Sequence, residues 1–230
     1  MLIFLWFLWR IFWKTLMWFF ILSIASVVLF RFVPVPLTPL MVIRCCQQIS
    51  EGQKIKLKKD WVALENISPN LPMAVVASED QQFIEHYGFD FESIGKALNH
   101  NKKSKRIHGA STISQQTAKN VFLWPGRSWI RKGLEVYFTG LIELIWHKER
   151  IMEVYLNVIE MGEGIYGAEA ATQTYFNKHA QALASNEAAL IASILPNPRK
   201  WSPARPSPYI HNRQQWILVQ MRNLGGFLKY

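Results

Sequence analysis

Cysteine is nearly absent from this sequence of 230 residues, which contains only the adjacent pair Cys45 and Cys46. Neighbouring cysteines rarely bridge each other, and two thiolates cannot form a zinc site without further ligands. The pair is therefore predicted to be two small buried side chains. Neither a disulfide framework nor a zinc cluster is expected, so stability must come from an apolar core, and half of the residues are hydrophobic.

Acidic residues are also scarce, and one long stretch of the chain contains none. The sequence has 16 Asp and Glu against 26 Lys and Arg, and no acid occurs from Ser93 through Ile130. Residues 96–150 contain eleven Lys and Arg and three Glu, so this window alone supplies a charge of +8. Such a concentration indicates an anionic partner, which can be a lipid headgroup, a nucleic acid or a phosphorylated substrate.

Alternating strand patterns are few, and helical spacing dominates. Residues 73–87 predict a helix that ends at Gly88, and Thr112–Gln115 has the form of a capping box at the start of another helix. Residues 129–157 predict one long helix or two joined helices, and Ser185 is expected to cap a helix that runs through Ile194. The fold class is therefore predicted to be mainly α.

The first 33 residues are almost entirely apolar and aromatic. Between Lys14 and Arg31 lie 16 uncharged residues, slightly fewer than the roughly 20 that span a bilayer, and both basic side chains can snorkel to extend the span. The alternative is a cleaved signal peptide, but the extreme N-terminus is not basic and no A-x-A cleavage site follows. We expect one retained span with its N-terminus inside, because Arg10 and Lys14 lie closest to it.

The stretch "VPVPLTP" (33–39) is a proline-spaced connector that is predicted to be extended. We therefore divide the chain into an N-terminus and transmembrane helix at 1–33, a linker and membrane-proximal segment at 34–59, and a mainly α domain at 60–230.

Two adjacent carboxylates, Glu79 and Asp80, follow an apolar run in the stretch "ASEDQQFIEHYGFD". On a helix, Glu79, Phe83 and His86 would share one face. One interpretation is a carboxylate base that aromatic and imidazole neighbours tune. The other is a helix-terminal pair of acids that favours the macrodipole. The segment alone leaves both interpretations open.

The acid-free stretch contains a second candidate group. In "HGASTISQQTAKN" (108–120), Ser111 and Thr112 present hydroxyls at a helix start, and Thr112, Gln116 and Lys119 would share one helix face. Hydroxyl, amide and ammonium groups together suit a sugar or a phosphate. A solvated helix face is the alternative, but the lack of any acid nearby favours a functional site.

The stretch "RKGLE" (131–135) places Arg131 and Glu135 at i and i+4. This can be a surface ion pair worth a few tenths of a kcal/mol. If the segment instead lines a cleft with Lys119, then Arg131, Lys132 and Lys119 become an anion clamp and Glu135 a second carboxylate. In the following "HKERIMEVYLN" (147–157), most residues are expected to support the helix.

These stretches together resemble the peptidoglycan glycosyltransferase family, and most closely its free-standing monofunctional members. The resemblance covers about residues 60–205 and rests on five stretches in order: "EDQQFIEHYGFD", "GASTISQQTAKN", "RKGLE", "KERIMEVYLN" and "NEAALIASILPNPRKWSP". It implies a mainly α, lysozyme-like fold with a smaller, more mobile lobe that touches the membrane.

The resemblance places Glu79 at the family's catalytic base and Glu135 at its second glutamate. With the residues singled out above, the predicted substrate-binding set is Asp80, Phe83, His86, Ser111, Thr112, Gln116, Lys119, Arg131, Lys132 and Arg150. No metal site is predicted and no cofactor is required, although Mg²⁺ or Mn²⁺ can assist. Ser93 and Lys96 match the S-x-x-K motif of transpeptidases by chance, because no K-T-G follows and no transpeptidase domain fits.

The activity that the resemblance implies is polymerisation of lipid II into β-1,4 glycan strands, with inversion and release of the lipid diphosphate. Its expected partners are lipid II, the growing glycan, membrane lipid and proteins of cell-wall synthesis or division, and not nucleic acid. The expected location is the bacterial inner membrane, with the catalytic domain on the periplasmic face. A lysozyme-like glycan-cleaving enzyme and a membrane-anchored scaffold with a basic face are the alternatives.

Overall fold

The computed structural model describes residues 2–103, 109–126, 128–225 and 228, and its contacts divide the chain into two units, Met1–Pro34 and Val35–Tyr230. The first unit is the helix α1 (Leu2–Phe32), whose stretch Phe4–Phe32 has a mean hydropathy of 2.0. At 1.5 Å per residue, 31 residues span about 46 Å, more than the roughly 30 Å of a bilayer core. This helix is long and apolar enough to cross a membrane.

The second unit is built mainly from helices, which confirms the predicted fold class. Its helices are α2 (Pro39–Ser50), α3 (Asn70–Glu79), α4 (Phe91–Lys103), α5 (Ile113–Phe122), α6 (Trp129–Ile145), α7 (Lys148–Val158), α8 (Ala168–Phe176), α9 (Ser185–Ile194) and α10 (Pro208–Asn223). Short 3₁₀ turns occur at Leu64–Asn66 and Ala180–Ala182. The short strands β1 (Lys58–Lys59), β2 (Glu160–Gly162) and β3 (Ile165–Tyr166) form a sheet in the order β1–β3–β2, with β1 parallel and β2 antiparallel to β3.

The core of this unit is organised around α3, which packs against α9 and α10. Every residue of α3 from Leu71 through Ala77 is buried. A helix that is apolar on all sides belongs in an interior, and its burial fixes the position of its C-terminal residue, Glu79. On the other side of the core, α5 packs against α6 and α7. The fold therefore brings the ends of α3 and α5 into one region.

The connector is extended as predicted, although its last proline already belongs to α2. Residues 34–38 have no regular secondary structure, Thr38 Oγ1 accepts a hydrogen bond from Met41 N, and Pro39 occupies the first helical turn. The prediction that both cysteines are buried is wrong. Cys45 is partly exposed and Cys46 is exposed, because α2 fully buries only Met41 and leaves most of its other side chains accessible.

The predicted helix over 73–87 is also wrong in its second half. It ends at Glu79, because Asp80 leaves the helical conformation with φ −162° and ψ 79°. The Asp80 carboxylate then accepts a hydrogen bond from the Ile113 backbone N–H at 3.0 Å, a long-range contact that spacing alone does not reveal. The segment that follows consists of turns and ends at Gly88, whose φ of +80° and close approach to Thr139 exclude a side chain.

The remaining helix boundaries agree closely with the sequence. The capping box is confirmed, since Thr112 Oγ1 accepts from Gln115 N and Gln115 Oε1 accepts from Thr112 N, both at 3.1 Å. The segment 129–157 forms two helices, α6 and α7. Ser185 does not cap α9 as predicted, because it is the first helical residue and its hydroxyl donates to Asn70 Oδ1 at 2.8 Å. The polar, basic composition of 101–111 predicts a loop. Its residues through Lys103 belong to α4 instead, and 104–108 lie outside the described residues.

Candidate active site

Glu79 lies at the C-terminus of α3, and 15% of its side chain is exposed. Its Oε2 accepts a hydrogen bond from Gln116 Nε2 at 3.0 Å, and its Oε1 lies 3.8 Å from Arg213 Nη2. Burial raises the pKa of the Glu79 carboxyl, and the charge of Asp80 adds to this effect. Gln116, Arg213 and Lys119 stabilise the ionised form and partly offset the burial. Glu79 is thus a buried carboxyl with one well-formed hydrogen bond.

Two clefts of the second unit meet at Glu79. The first has a volume of about 520 Å³ and extends towards α4, and the second has a volume of about 810 Å³ and extends towards α10. The residues that line both are Ser78, Glu79, Gly109, Ser111 and Trp216. Ligand groups can therefore approach Glu79 from two directions.

Asp80, Phe83 and His86 form a layer behind Glu79. His86 Nε2 lies 2.9 and 3.0 Å from the two Asp80 oxygens, and the Phe83 side chain is fully buried with its ring 6.5 Å from the imidazole. Of these three predicted substrate ligands, the structure places only Asp80 on a cleft wall. Phe83 is positioned to support the wall from inside the core. The turn conformation of residues 80–88, rather than a shared helix face, brings these side chains together.

The predicted ligands at the start of α5 have different surroundings. Ser111 is exposed and lines both clefts. Thr112 lines the first cleft but is buried, and its hydroxyl donates to the Gly88 carbonyl at 2.7 Å while also capping α5. Gln116 lines the second cleft and contacts Glu79. These residues are brought together as predicted, but Thr112 already uses its hydroxyl within the fold.

Lys119, Arg131, Lys132 and Glu135 form one charged cluster, the grouping that the second interpretation of "RKGLE" includes. Among the described residues, the linings of the two clefts contain none of these four. Glu135 is 4% exposed, and its two oxygens lie 2.7 Å from Arg131 Nη1 and 2.6 Å from Lys132 Nζ. Burial lowers the pKa of the Lys119 ammonium, and the nearby Glu135 carboxylate acts against this shift. Three cations and one carboxylate leave the cluster with a net charge of +2. This net positive charge can attract an anion.

Arg150 is one of the predicted ligands that line neither cleft. Its Nη1 bonds Glu153 Oε1 at 2.5 Å, and its guanidinium lies 5.3 Å from the centre of the Trp61 ring. Among the described residues, the linings of the two clefts do not include Arg150. Its position on α7 agrees with the expectation that most of this stretch supports the helix.

Sequence reasoning missed a buried polar group that links α5, α6 and α7. Lys148 Nζ donates to the His86 carbonyl at 2.6 Å and to Glu143 Oε1 at 2.8 Å, and it lies 4.7 Å above the Phe83 ring. The same Glu143 oxygen accepts a hydrogen bond from the Ser114 hydroxyl. This group ties the turn segment 80–88 to three helices. The signal was Lys148, in a stretch that was interpreted only as helix support.

Sequence reasoning also missed the contribution of α10. Arg213 approaches Glu79, and Trp216 lines both clefts with 47% of the residue exposed. Trp201 and Tyr209 add an aromatic pair, with ring centres 5.4 Å apart, to the wall of the second cleft. The resemblance ended near residue 205, and α10 has no spacing of polar residues that distinguishes it from an ordinary helix. Only its packing against α3 reveals its part in the site.

Comparison with known proteins agrees with this geometry. The profile of the transglycosylase family matches residues 47–222. The chain is 60% identical to a biosynthetic peptidoglycan transglycosylase of Bacteroides thetaiotaomicron, an alignment that covers 92% of this chain and 86% of the relative. It is 58% identical to the protein of that name from Bdellovibrio bacteriovorus (89% and 82% covered) and 52% identical to that from Pseudomonas syringae (93% and 90%). With its mainly α, lysozyme-like fold, the chain belongs to the transglycosylase family.

Proposed function

We propose that this protein is an inverting glycosyltransferase that polymerises lipid II into peptidoglycan strands. Membership of the transglycosylase family and the name of its relatives support glycan polymerisation. The observation that carries the mechanism is the unlike surroundings of two buried glutamates. Both Glu135 oxygens are committed to ion pairs with Arg131 and Lys132. Glu79 has a raised pKa and, among the described residues, a single close hydrogen bond. Of the two, Glu79 is the available base.

In the proposed reaction, Glu79 takes the proton from the 4-hydroxyl of the acceptor disaccharide. The hydroxyl oxygen forms a bond to the anomeric carbon of the donor as the bond to the lipid diphosphate breaks, and the bonding electrons leave with the diphosphate. Attack opposite the leaving group converts an α-linked donor into a β-1,4 linkage. A sugar hydroxyl is a weak nucleophile, so this proton transfer contributes about 10²–10⁴-fold to the rate.

The cluster of Lys119, Arg131 and Lys132 would stabilise the departing diphosphate. Charge that develops on the leaving group needs fixed cations in a site with little water, and Lys119 is largely buried. Glu135 holds Arg131 and Lys132 in place through its two ion pairs. Its proposed role is therefore to position the cations, and Glu79 alone transfers the proton.

Metal ions and peptide cross-linking have no assigned step in this proposal. Within the ranges that the structure describes, no group of three or more His, Cys, Asp or Glu side chains is arranged to hold a metal. A Mg²⁺ or Mn²⁺ ion would then take most of its ligands from the diphosphate.

For transpeptidase chemistry, Lys96 is a poor partner for Ser93, because its ammonium is exposed and paired with Glu92 at 2.6 Å. We propose a polymerase without transpeptidase activity.

The proposed location is the inner membrane, with α1 as a single anchor, the N-terminus inside and the catalytic domain on the periplasmic face. The apolar Phe4–Phe32 stretch and the basic Arg10 and Lys14 support this topology. Anchoring raises the concentration of the domain near its lipid-linked substrates. Proteins of cell-wall synthesis or division are proposed partners whose contact residues we do not assign.

An exposed apolar surface of the second unit supports direct contact with lipid. Trp129 is 92% exposed and Ile130 is 76% exposed at the start of α6, and Trp124 precedes them with 45% exposed. Large apolar side chains at this exposure mark an interaction surface, and tryptophan favours the membrane interface. Because α6 also carries Arg131 and Lys132 of the charged cluster, contact here would place these two cations near the lipid headgroups.

Replacing Trp129 and Ile130 together with serine should reduce activity on bilayer-embedded substrate by at least about tenfold. Full burial of one large apolar side chain is worth roughly 1.5–3 kcal/mol, and about 1.4 kcal/mol already corresponds to tenfold. Activity on a short-chain, water-soluble lipid-linked disaccharide should stay within about twofold. Initial rates on the two substrates measure this ratio. Leu144→Ser, at a position 83% exposed near the C-terminal end of α6, is the control. An equal loss on both substrates would contradict membrane contact.

The experiment that tests the proposed function supplies purified lipid-linked disaccharide to the full chain in detergent and separates the products by size. We expect lengthened glycan and released lipid diphosphate. A lysozyme-like hydrolase would instead cleave finished glycan without forming polymer, and a scaffold would do neither. Either of those two results would overturn the proposal.

A further inference from the structure

Three side chains from three helices form a hydrogen-bonded chain that ends at Glu79. The Tyr155 hydroxyl of α7 donates to Gln116 Oε1 at 3.3 Å, and Gln116 Nε2 of α5 donates to Glu79 Oε2 at 3.0 Å. Tyr155 is fully buried. The mechanism above uses Glu79 but assigns nothing to the tyrosine.

The chemistry of the two end groups determines which way the amide between them points. An ionised carboxylate only accepts hydrogen bonds, so the amide must turn an N–H towards Glu79 and its oxygen away. The hydroxyl of Tyr155 satisfies that oxygen by donating to it. Burial raises the pKa of Tyr155 well above its ordinary value, and the charges of Glu79 and Asp80 act in the same direction. The hydroxyl therefore stays protonated and remains a donor.

The position of Tyr155 is itself rigid. Its neighbours on α7, Ile151, Val154 and Leu156, are fully buried, so the helix cannot shift without opening the core. On the other side, α5 begins with a complete capping box at Thr112. The amide of Gln116 is thus held between two fixed elements.

We propose that Tyr155 is a positioning residue that orients Gln116 as a dedicated hydrogen-bond donor to Glu79. This inference rests on the proposed role of Glu79 as the base. The Oε2 atom of Glu79 is then occupied by the amide, and Oε1 is the oxygen that takes the proton of the acceptor hydroxyl. Gln116, which the sequence predicted to bind substrate, acts instead on the carboxylate.

The hydrogen bond from Gln116 also affects when Glu79 is ionised. The charged groups that face Glu79 are Asp80 beside it, Lys119 on α5 and Arg213 on α10. Burial raises the pKa of Glu79, and the hydrogen bond from Gln116 is the largest of the effects that lower it. Weakening that bond must raise the pKa of Glu79 further. Since only the ionised carboxylate is a base, the fall of kcat on the acid side should then occur at higher pH.

The test is Tyr155→Phe in the full chain, assayed with lipid-linked disaccharide across a pH series. We expect kcat to fall about 2- to 10-fold, the effect of one neutral hydrogen bond worth about 0.5–1.5 kcal/mol, with KM changed less than about twofold. The acid limb of the kcat profile should move to higher pH. Gln116→Leu should move the limb in the same direction, and Tyr155→Phe should add little in that background.

Tyr166→Phe is the matched control. Tyr166 is also fully buried, but among the described residues its hydroxyl has no hydrogen-bond partner, so this change should leave the pH profile as in the wild type. Thermal unfolding of each variant separates loss of folding from loss of positioning. An acid limb that does not move in either Tyr155→Phe or Gln116→Leu would overturn the role of Tyr155 and leave the proposed function standing. A fully active Glu79→Gln variant would instead overturn the role of Glu79 as the base, on which this inference rests. Absence of lengthened glycan from the wild-type chain would overturn the proposed function.

Discussion

Glu79→Gln should remove nearly all turnover while the chain still folds and still binds its substrate. The amide keeps the size of the side chain but cannot take a proton, so kcat should fall about 10²–10⁴-fold, the usual contribution of a general base. Because burial raises the pKa of Glu79, the ionised carboxylate costs folding free energy at neutral pH. Its removal should therefore not lower the temperature of thermal unfolding.

Single-turnover extension of lipid-linked disaccharide, with a parallel binding measurement, checks this expectation. Glu85→Gln is the matched control, because Glu85 is exposed in the turn segment that follows Glu79, and its variant should behave as the wild type. A Glu79→Gln protein that extends glycan at the wild-type rate would remove Glu79 from the mechanism.

The pH profile adds a second check. Wild-type kcat should fall as the pH decreases through the raised pKa of Glu79, because protonation disables the base.

Lys119→Ala should have the second largest effect, a decrease in kcat of about 10²–10³-fold, similar to the loss of one fixed donor that stabilises charge in a transition state. Lys119 is largely buried, and burial lowers its pKa, so the ammonium is poorly hydrated before substrate binds. A diphosphate would take the place of the missing water around the ammonium, and this interaction would be strongest in the transition state, as negative charge develops on the leaving group. Folding should be affected less, because Arg131 and Lys132 still pair with Glu135.

Steady-state kcat and KM, together with thermal unfolding, separate these effects. Lys200→Ala removes a charge from an exposed position and should leave the kinetics unchanged. If Lys119→Ala lowered the unfolding temperature strongly but left kcat unchanged, the residue would be structural. The proposal that Lys119 stabilises the departing diphosphate would then be wrong.

The sequence identified the right residues around Glu79 for a partly wrong geometric reason. Helical spacing placed Glu79, Phe83 and His86 on one face, but the helix ends at Glu79 and turns bring the other two back beneath it. Local propensity could not reveal where the helix ends. The backbone leaves the helical conformation at Asp80, whose carboxylate accepts a hydrogen bond from Ile113, 33 residues away. A contact between distant segments overrode the local pattern.

The sequence by itself determined the features that depend on residues close together in the chain. The apolar N-terminal helix, the predominance of helices, the capping box at Thr112 and the i, i+4 pair of Arg131 and Glu135 all follow from local spacing and composition. The order of the motifs also identified the family.

Only the tertiary structure decided that Glu79 lines both clefts whereas Glu135 is enclosed by two cations. Spacing cannot show that Glu135 is enclosed by two cations, that Arg213 of α10 reaches Glu79, or that Tyr155 holds the amide of Gln116. These facts depend on burial and on contacts between helices far apart in the chain. Burial changes the ionisation of a carboxyl, and packing sets the direction of each hydrogen bond, so the chemistry of the site is a property of the assembled fold.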